Sequence, residues 1–354
     1  MISRPIWMEA QRLAPANIPF ERCSGVVIEH AMIDANSSIH FVSKKQEQVV
    51  KELKKFRSRA KSFVISLRCS MQEKEFAQLM QSAGNFYRKT PEAGNIHTVL
   101  RLKLATSIRS FVDGLSFNGV ELRCADLLSK TTKIQFAHFL RILNKEMKAK
   151  KSDGCGNTVS LRLSAWQSDL RSIYDIVVLN SLNQIVLEPF TVPLLPDTAF
   201  VHSPLFPISN HTSITSIDVI VRRWESSGLD RSKILLQIPS YGMEQLLVNR
   251  SDVGIGRPTE KEYAVIGQAE LCQRLKYAGT VRETHWDSMS VNAWTTGGRW
   301  ISIDDQQTVK YKMRYALREG LAGVGLMSLN EDDHMGTCGS GAFPILRSIA
   351  AKCH

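Results

Sequence analysis

The sequence predicts an α/β fold: a (β/α)8 TIM barrel with a small α+β insertion after the seventh strand. Three observations lead there. Short runs rich in Val, Ile and Leu recur between amphipathic stretches, the rhythm of strand–helix units around a parallel sheet. Eight such runs can be placed, the number that closes a barrel. Residues 240–306 then break the rhythm with mixed Gly, Thr and aromatic content and strand-like pieces, as an inserted lobe would. At 354 residues the chain can bury a large core.

The predicted strands are 4–9, 24–31, 61–67, 117–124, 158–165, 183–190, 233–239 and 321–329. Between them, 43–57, 99–115, 131–149, 212–227 and 307–319 carry apolar residues at three- and four-residue spacing. Phe136, Phe139, Leu140 and Leu143 share one helical face in this way, so these segments form an outer ring with the apolar stripe inward. The barrel is assigned to 1–239 and 307–354, and the α+β lobe to 240–306. Trp7 in the first strand and Trp224 on a helix read as core residues. The basic segments Lys51-to-Lys61 and Lys145-to-Lys151 fall at helix C-termini, where cations offset the dipole and the last carbonyls.

A formal charge of +11 suits an acidic partner such as a sulfated glycan or an anionic surface. The basic residues are not interleaved with aromatics, so a nucleic-acid ligand is not expected. Seven cysteines (Cys23, Cys69, Cys124, Cys155, Cys272, Cys338, Cys353) show no metal-ligand spacing, and neither a metal nor a cofactor is expected. Gly254-Ile255-Gly256 lacks the third glycine and the following helix of a dinucleotide loop. Three Asn-x-Ser/Thr sequons, at Asn36, Asn210 and Asn249, would be glycosylation sites on surface loops of a secreted protein. No apolar run approaches the roughly 18 residues of a membrane span. The N-terminus lacks a signal-peptide core, so the chain is read as a mature, extracellular form whose leader was removed.

Residues 117–126 read Phe-Asn-Gly-Val-Glu-Leu-Arg-Cys-Ala-Asp. This stretch resembles the Phe-Asp-Gly-x-Asp-x-Asp-x-Glu strand of the chitinases, glycoside hydrolase family 18, whose last glutamate protonates the leaving glycosidic oxygen. Asn118, Glu121, Arg123 and Ala125 stand on its four acidic positions. Residues 23–31 look like the family's second strand, Phe63-to-Ser66 its third and 235–242 its seventh. Trp300-to-Asp305, followed by Lys310 or Lys312, resembles the segment leading out of the insertion. Gly323 through Asp333, with Gly336 and Cys338, resembles the eighth strand and its acidic turn. The resemblance implies a Cys272–Cys338 disulfide, whereas Cys23 lacks the family's usual partner. The pairing of Cys69, Cys124, Cys155 and Cys353 stays open, although a Cys69–Cys124 bridge would join neighbouring strands at one rim.

Activity does not travel with a barrel, because function resides in the site. The resemblance implies a substrate-assisted mechanism, in which the sugar's acetamido oxygen attacks while the glutamate protonates and the preceding aspartate orients. Arg123 and Ala125 can do neither. The sixth-strand Met-x-Tyr-Asp becomes Glu188, Phe190 and Thr191, the eighth-strand tryptophan becomes Met327, and the Ser-x-Gly-Gly turn reads Ser66-Leu67-Arg68-Cys69. Ser66, Tyr241 and the Asp332/Asp333 pair remain. General acid catalysis supplies roughly 10²–10⁴ in rate, so hydrolysis is expected to be undetectable. Glu121 is no replacement: it shares the face of Ala125 but lies four residues deeper, roughly 13 Å back along a strand. Asp126 points the other way.

The same alternation turns Glu121 and Arg123 toward the barrel axis, and the resemblance puts His30, Arg68 and Glu188 near it. Charges there must pair or stay wet. A salt-bridged plug is therefore expected, with Arg123 bonded to Glu121 or Glu188 and Arg68 completing the group. His30 reads as a core histidine, and Glu331-Asp332-Asp333-His334 as a structural turn. A site floored by Met327 lacks the aromatic surface on which the family stacks sugars. Trp166, Trp286 or Trp294 would offer a stacking face at the rim, beside Tyr241. The expected protein is a catalytically inactive, secreted chitinase-like protein binding a chito-oligosaccharide, an acidic glycan or a protein receptor. A weak oligosaccharide lectin and a residual chitin hydrolase are the alternatives.

Overall fold

The computed structural model describes residues 13–80, 93–149, 156–164, 169–190, 197–211 and 214–351. The predicted strand 4–9 with Trp7 lies outside these residues, as do Cys155, Trp166, Thr191 and Cys353. The chain divides into two compact units: Pro19–Leu187 with Trp224–Ile234, and Glu188–Arg223 with Leu235–His354 and the start of the chain to Ile18.

The Pro19–Leu187 unit is built on β1 (Val26–Ile33), β2 (Ile39–Phe41), β3 (Phe63–Cys69), β4 (Gly119–Arg123), β5 (Thr158–Ser164) and β6 (Gln184–Glu188). They are hydrogen-bonded in the order β6-β5-β4-β3-β1-β2. β1, β3, β4 and β5 run parallel, with Ser66 opposite Glu121 and Glu121 opposite Ser160. Both faces of these strands are covered: Ile65, Leu67, Val120, Leu122, Val159, Leu161 and Leu163 are buried on one, and Ser66, Glu121, Ser160 and Arg162 on the other. Gly119 is demanded by proximity: a Cβ there would meet Thr158 Oγ1 at 2.0 Å. Asn118 beside it latches the starts of the neighbouring strands. Its Oδ1 accepts from Phe63 N at 2.9 Å, and its carbonyl accepts from Thr158 N.

Helices α1 (Lys44–Leu53), α2 (Glu73–Met80), α3 (Ala93–Gly114), α4 (Lys133–Lys148), α5 (Leu170–Ile173) and α6 (Ile176–Ser181) connect these strands. α1 begins where Ser43 Oγ accepts the Gln46 N–H. α4 buries Phe136, Phe139, Leu140 and Leu143, the predicted face. α2 and α6 were not expected from periodicity; at 8 and 6 residues they are too short to display one. The basic segments lie at helix ends, and their cations reach the carbonyls of a neighbouring helix. Lys54 Nζ donates to Gly114 O at 2.7 Å, and Lys148 Nζ to Ser181 O at 3.4 Å. Trp224, on α7 (Ile217–Ser226), packs on Tyr174 in the core.

In the Leu235–His354 unit, β7 (Ile234–Pro239) leads into β8 (Tyr241–Leu247), β9 (Thr259–Gly267), β10 (Val281–His285), β11 (Ser290–Trp294) and β12 (Arg299–Ile303). These last five form an antiparallel sheet in the order β10-β11-β12-β8-β9. With α8 (Gln268–Arg274) they enclose a core of Ile266, Leu271, Val291, Ala293, Ile301 and Ile303. α9 (Gln306–Arg318) returns the chain to β13 (Gly323–Met327), which pairs in parallel with β7, and α10 (Pro344–Ala350) follows. Cys272 and Cys338 are bridged, Cα atoms 5.7 Å apart, and Asp332 accepts from the Ile345 and Leu346 amides. Burial pushes the Asp332 carboxyl above the usual carboxylate range despite those hydrogen bonds.

Lys312 on α9 is wholly buried, its Nζ donating to both carboxylate oxygens of buried Asp304 and to Ser203 Oγ at 2.8 Å. Of the two lysines that the sequence offered after Asp304, this is the one turned inward. Removing it strands a carboxylate. Lys312→Met is expected to lower unfolding stability by about 3–5 kcal/mol in urea titrations. A loss below about 1 kcal/mol would mean that water reaches Asp304.

Candidate functional site

β4 carries Glu121 inward as its alternation requires, and Glu121 is 1% exposed. Ser66 Oγ, opposite it on β3, donates to Glu121 Oε1 at 2.8 Å. Arg162 on β5, 3% exposed, then bridges two carboxylates: Nη2 lies 2.5 Å from Glu121 Oε1 and Nη1 donates to Glu29 Oε1 at 2.6 Å. Arg123 closes the series by donating from Nη1 to Glu29 Oε2 at 3.1 Å. The outcome is a chain Arg123–Glu29–Arg162–Glu121–Ser66, two positive charges against two negative.

Glu29 enters through an irregularity in β1. Ile28 pairs with Ile65 but Ala31 with Leu67, so Glu29 and His30 together oppose Ser66 alone. Such a bulge re-aims a side chain and breaks the period-two reading. No residue in the sequence announces it. Arg162 was legible, since Thr158–Ser164 alternates and places Arg162 opposite to Val159, Leu161 and Leu163.

The plug as predicted therefore needs a correction. Arg68 does not complete it; the side chain is exposed at the end of β3, where its register partner on β4 is Arg123, a like charge. At a strand terminus water solvates a guanidinium at little cost, while both inward carboxylates are already engaged. Glu188, at the end of β6, is partly buried. The same rim carries a disulfide, Cys69–Cys124, with Cα atoms 5.1 Å apart, joining the ends of β3 and β4. It immediately precedes Ala125, which opens a short 3-10 turn, Ala125–Leu127. Cys23 is a free thiol, pushed up to about 11 by burial and then by Glu21, so it stays protonated near neutrality.

The aromatic candidates in the Leu235–His354 unit are mostly packed. Tyr241 meets Phe190 edge-on at 6.0 Å and His202 at 5.0 Å, and Met327 packs on this cluster. Trp294 stacks on buried Trp300, centroids 6.1 Å apart. Trp286 is 52% exposed, its ring edge-on to Tyr311 of α9. The acidic turn is structural: Asp333 accepts from the Thr337 and Cys338 amides. Among the described residues no group of His, Cys, Asp or Glu could hold a metal ion.

Residues 7–332 match the profile of glycosyl hydrolases family 18. The chain belongs to that family. Over 345 residues it is 28% identical to a chitinase-like protein of Caenorhabditis elegans, covering 95% of this chain and 28% of that one. Over 165 residues it is 30% identical to an endochitinase of Brugia malayi, covering 43% and 32%. The chain thus spans about a third or less of the length of these two relatives. Catalytic domain 2 of the Group II chitinase of Ostrinia furnacalis, solved in complex with a pentameric N-acetylchitooligosaccharide, superposes with a TM-score of 0.81 at 20% identity, over 97% of this chain and 93% of that one. The fold is that of the family 18 chitinase TIM barrels.

Within this family 18 barrel, loss of Arg162 takes the paired cation from buried Glu121. Arg162→Met is expected to cost about 3–5 kcal/mol in equilibrium unfolding, and Arg162→Met with Glu121→Gln appreciably less. Equal losses for the single and double variants would show that Glu121 does not depend on the guanidinium.

Proposed function

We propose that this chain is a catalytically inactive, extracellular chitinase-like protein that works by binding. The observation that carries the reading is what occupies the strand resembling the family's catalytic one. Arg123, on the position of the orienting aspartate, holds Glu29. Ala125, on the position of the acid, has no proton to give. Glu121 is shielded from solvent and committed to Arg162 and Ser66, so it is not presented to a glycosidic oxygen. A pyranose ring would also need volume that this paired charge cluster takes up.

Two disulfides and exposed Asn36, Asn210 and Asn249 are compatible with an oxidising, extracellular setting. No helix among the described residues is long and apolar enough to cross a membrane. The Ostrinia furnacalis relative binds a chito-oligosaccharide, which makes that class the first glycan to test. A lectin is the second reading, favoured by the half-exposed indole of Trp286.

Release of chromophore from an aryl chitobioside is expected to be absent for the natural sequence and for Ala125→Glu, because Arg123 still stands where the orienting carboxylate is needed. Turnover by the natural sequence that Glu121→Gln abolishes would overturn the assignment. Titration with chito-oligosaccharides is expected to leave tryptophan fluorescence flat; saturable quenching lost in Trp286→Ala would establish the lectin instead.

A further inference from the structure

The positive charge of the chain is concentrated far from the paired cluster. Residues 44–61 hold eight Lys or Arg against two Glu, a net six of the chain's eleven formal positive charges. They run along α1, a short 3-10 turn (Lys54–Phe56) and the approach to β3. This segment precedes the N-terminal end of β3, whereas the Arg123–Glu29–Arg162–Glu121 chain and the Cys69–Cys124 bridge sit toward the other end of those strands.

Helical spacing sorts the charges. Val50 and Leu53 are buried, and Lys44, Lys51 and Lys55, at i, i+7 and i+11, project on the opposite side. Glu47 neutralises part of Lys51, at 2.7 Å. Lys44, Lys55, Arg59 and Lys61 are exposed and have no carboxylate partner among the described residues. The guanidiniums beyond the helix are held in place. Arg59 lies 5.3 Å over the ring of Phe20 and 5.8 Å over that of Phe56; Arg57 lies 5.9 Å over Phe63 and donates to Ser116 O at 3.1 Å. Ten residues of α-helix and three of 3-10 helix extend this ridge over about 20 Å.

We propose that this ridge is a binding face for a linear sulfated polysaccharide. Spaced cations along a straight ridge match anionic esters along an extended chain, with Arg57 and Arg59 preset to fork onto them. The aromatic rings beneath are covered by those guanidiniums, so they cannot stack bases as a single-stranded nucleic acid requires. Val50 and Leu53 of α1 face inward and Val49 is half-buried, so α1 offers no large apolar wedge to a bilayer. The disulfides are compatible with an oxidising compartment, the setting of such polysaccharides. The inference stands apart from the sugar-binding question, since none of these residues belongs to the Arg123–Glu29–Arg162–Glu121 cluster.

The full chain is tested on immobilised heparin with a salt gradient, against Lys44→Gln with Lys55→Gln, and against Lys261→Gln with Lys276→Gln as a charge-matched control on β9 and after α8. The natural sequence is expected to elute well above about 0.15 M salt. The ridge variant is expected to elute earlier, its log–log salt slope lower by about two, whereas the control keeps the natural slope. Equal shifts for both variants, or no retention by the natural sequence, would refute the ridge. Tighter binding at matched salt to duplex DNA or to phosphatidylserine vesicles than to heparin would refute the polysaccharide.

Discussion

Arg162 shared between Glu29 and Glu121 is the interaction on which the interior of the Pro19–Leu187 unit depends. The two-residue period of β4 leaves no choice about Glu121: with Val120 and Leu122 on one face, its carboxylate must point inward. An inward carboxylate without a partner costs several kcal/mol, and a guanidinium from the adjacent strand is the remedy within reach. Buried Arg162 has more N–H donors than Glu121 accepts, and the bulge in β1 brings Glu29 to take another, its own charge offset by Arg123. Each member thus requires the next. Such a series contributes little net stability relative to apolar packing, yet breaking it anywhere is expensive, so it fixes geometry more than it adds energy.

How much of this was readable beforehand depended on whether a feature is periodic. The strands were legible because short segments rich in Val, Ile and Leu recur between amphipathic stretches, and seven of the eight predicted strands correspond to elements of the structure. Gly119 and Asn118 were legible as parts of a motif, and the strand-latching hydrogen bond of Asn118 was not. Arg162 obeyed its strand's alternation and could have been found that way. Glu29 could not, because a bulge changes facing without changing composition. Arg68 shows the opposite failure: alternation assigns a face but says nothing of whether water reaches it. Tyr241, Trp294 and Met327 show a third, since an aromatic or thioether in sequence does not reveal which neighbour covers it.

The same residue types meet different fates at the two ends of these strands. On β4 and β5, Arg123 and Arg162 lie within reach of Glu29 and Glu121 and are paired with them, while Arg68 at the end of β3 stays exposed. Before β3 begins, Lys54, Arg57 and Arg59 are fastened to carbonyl oxygens and aromatic faces, which hold them without cancelling their charge. Proximity to a carboxylate, rather than basic content, therefore decides where the chain presents a field.

The bridge between Cys69 and Cys124 has a consequence for the chain as a covalent object. It makes a closed loop of the backbone from one cysteine to the other, a loop that includes α2, α3 and all of β4. A protease that nicks one peptide bond anywhere along that circuit does not liberate a fragment. The severed halves migrate together in an electrophoretic gel until a thiol reductant is added, so the molecule can be clipped there and still remain one piece.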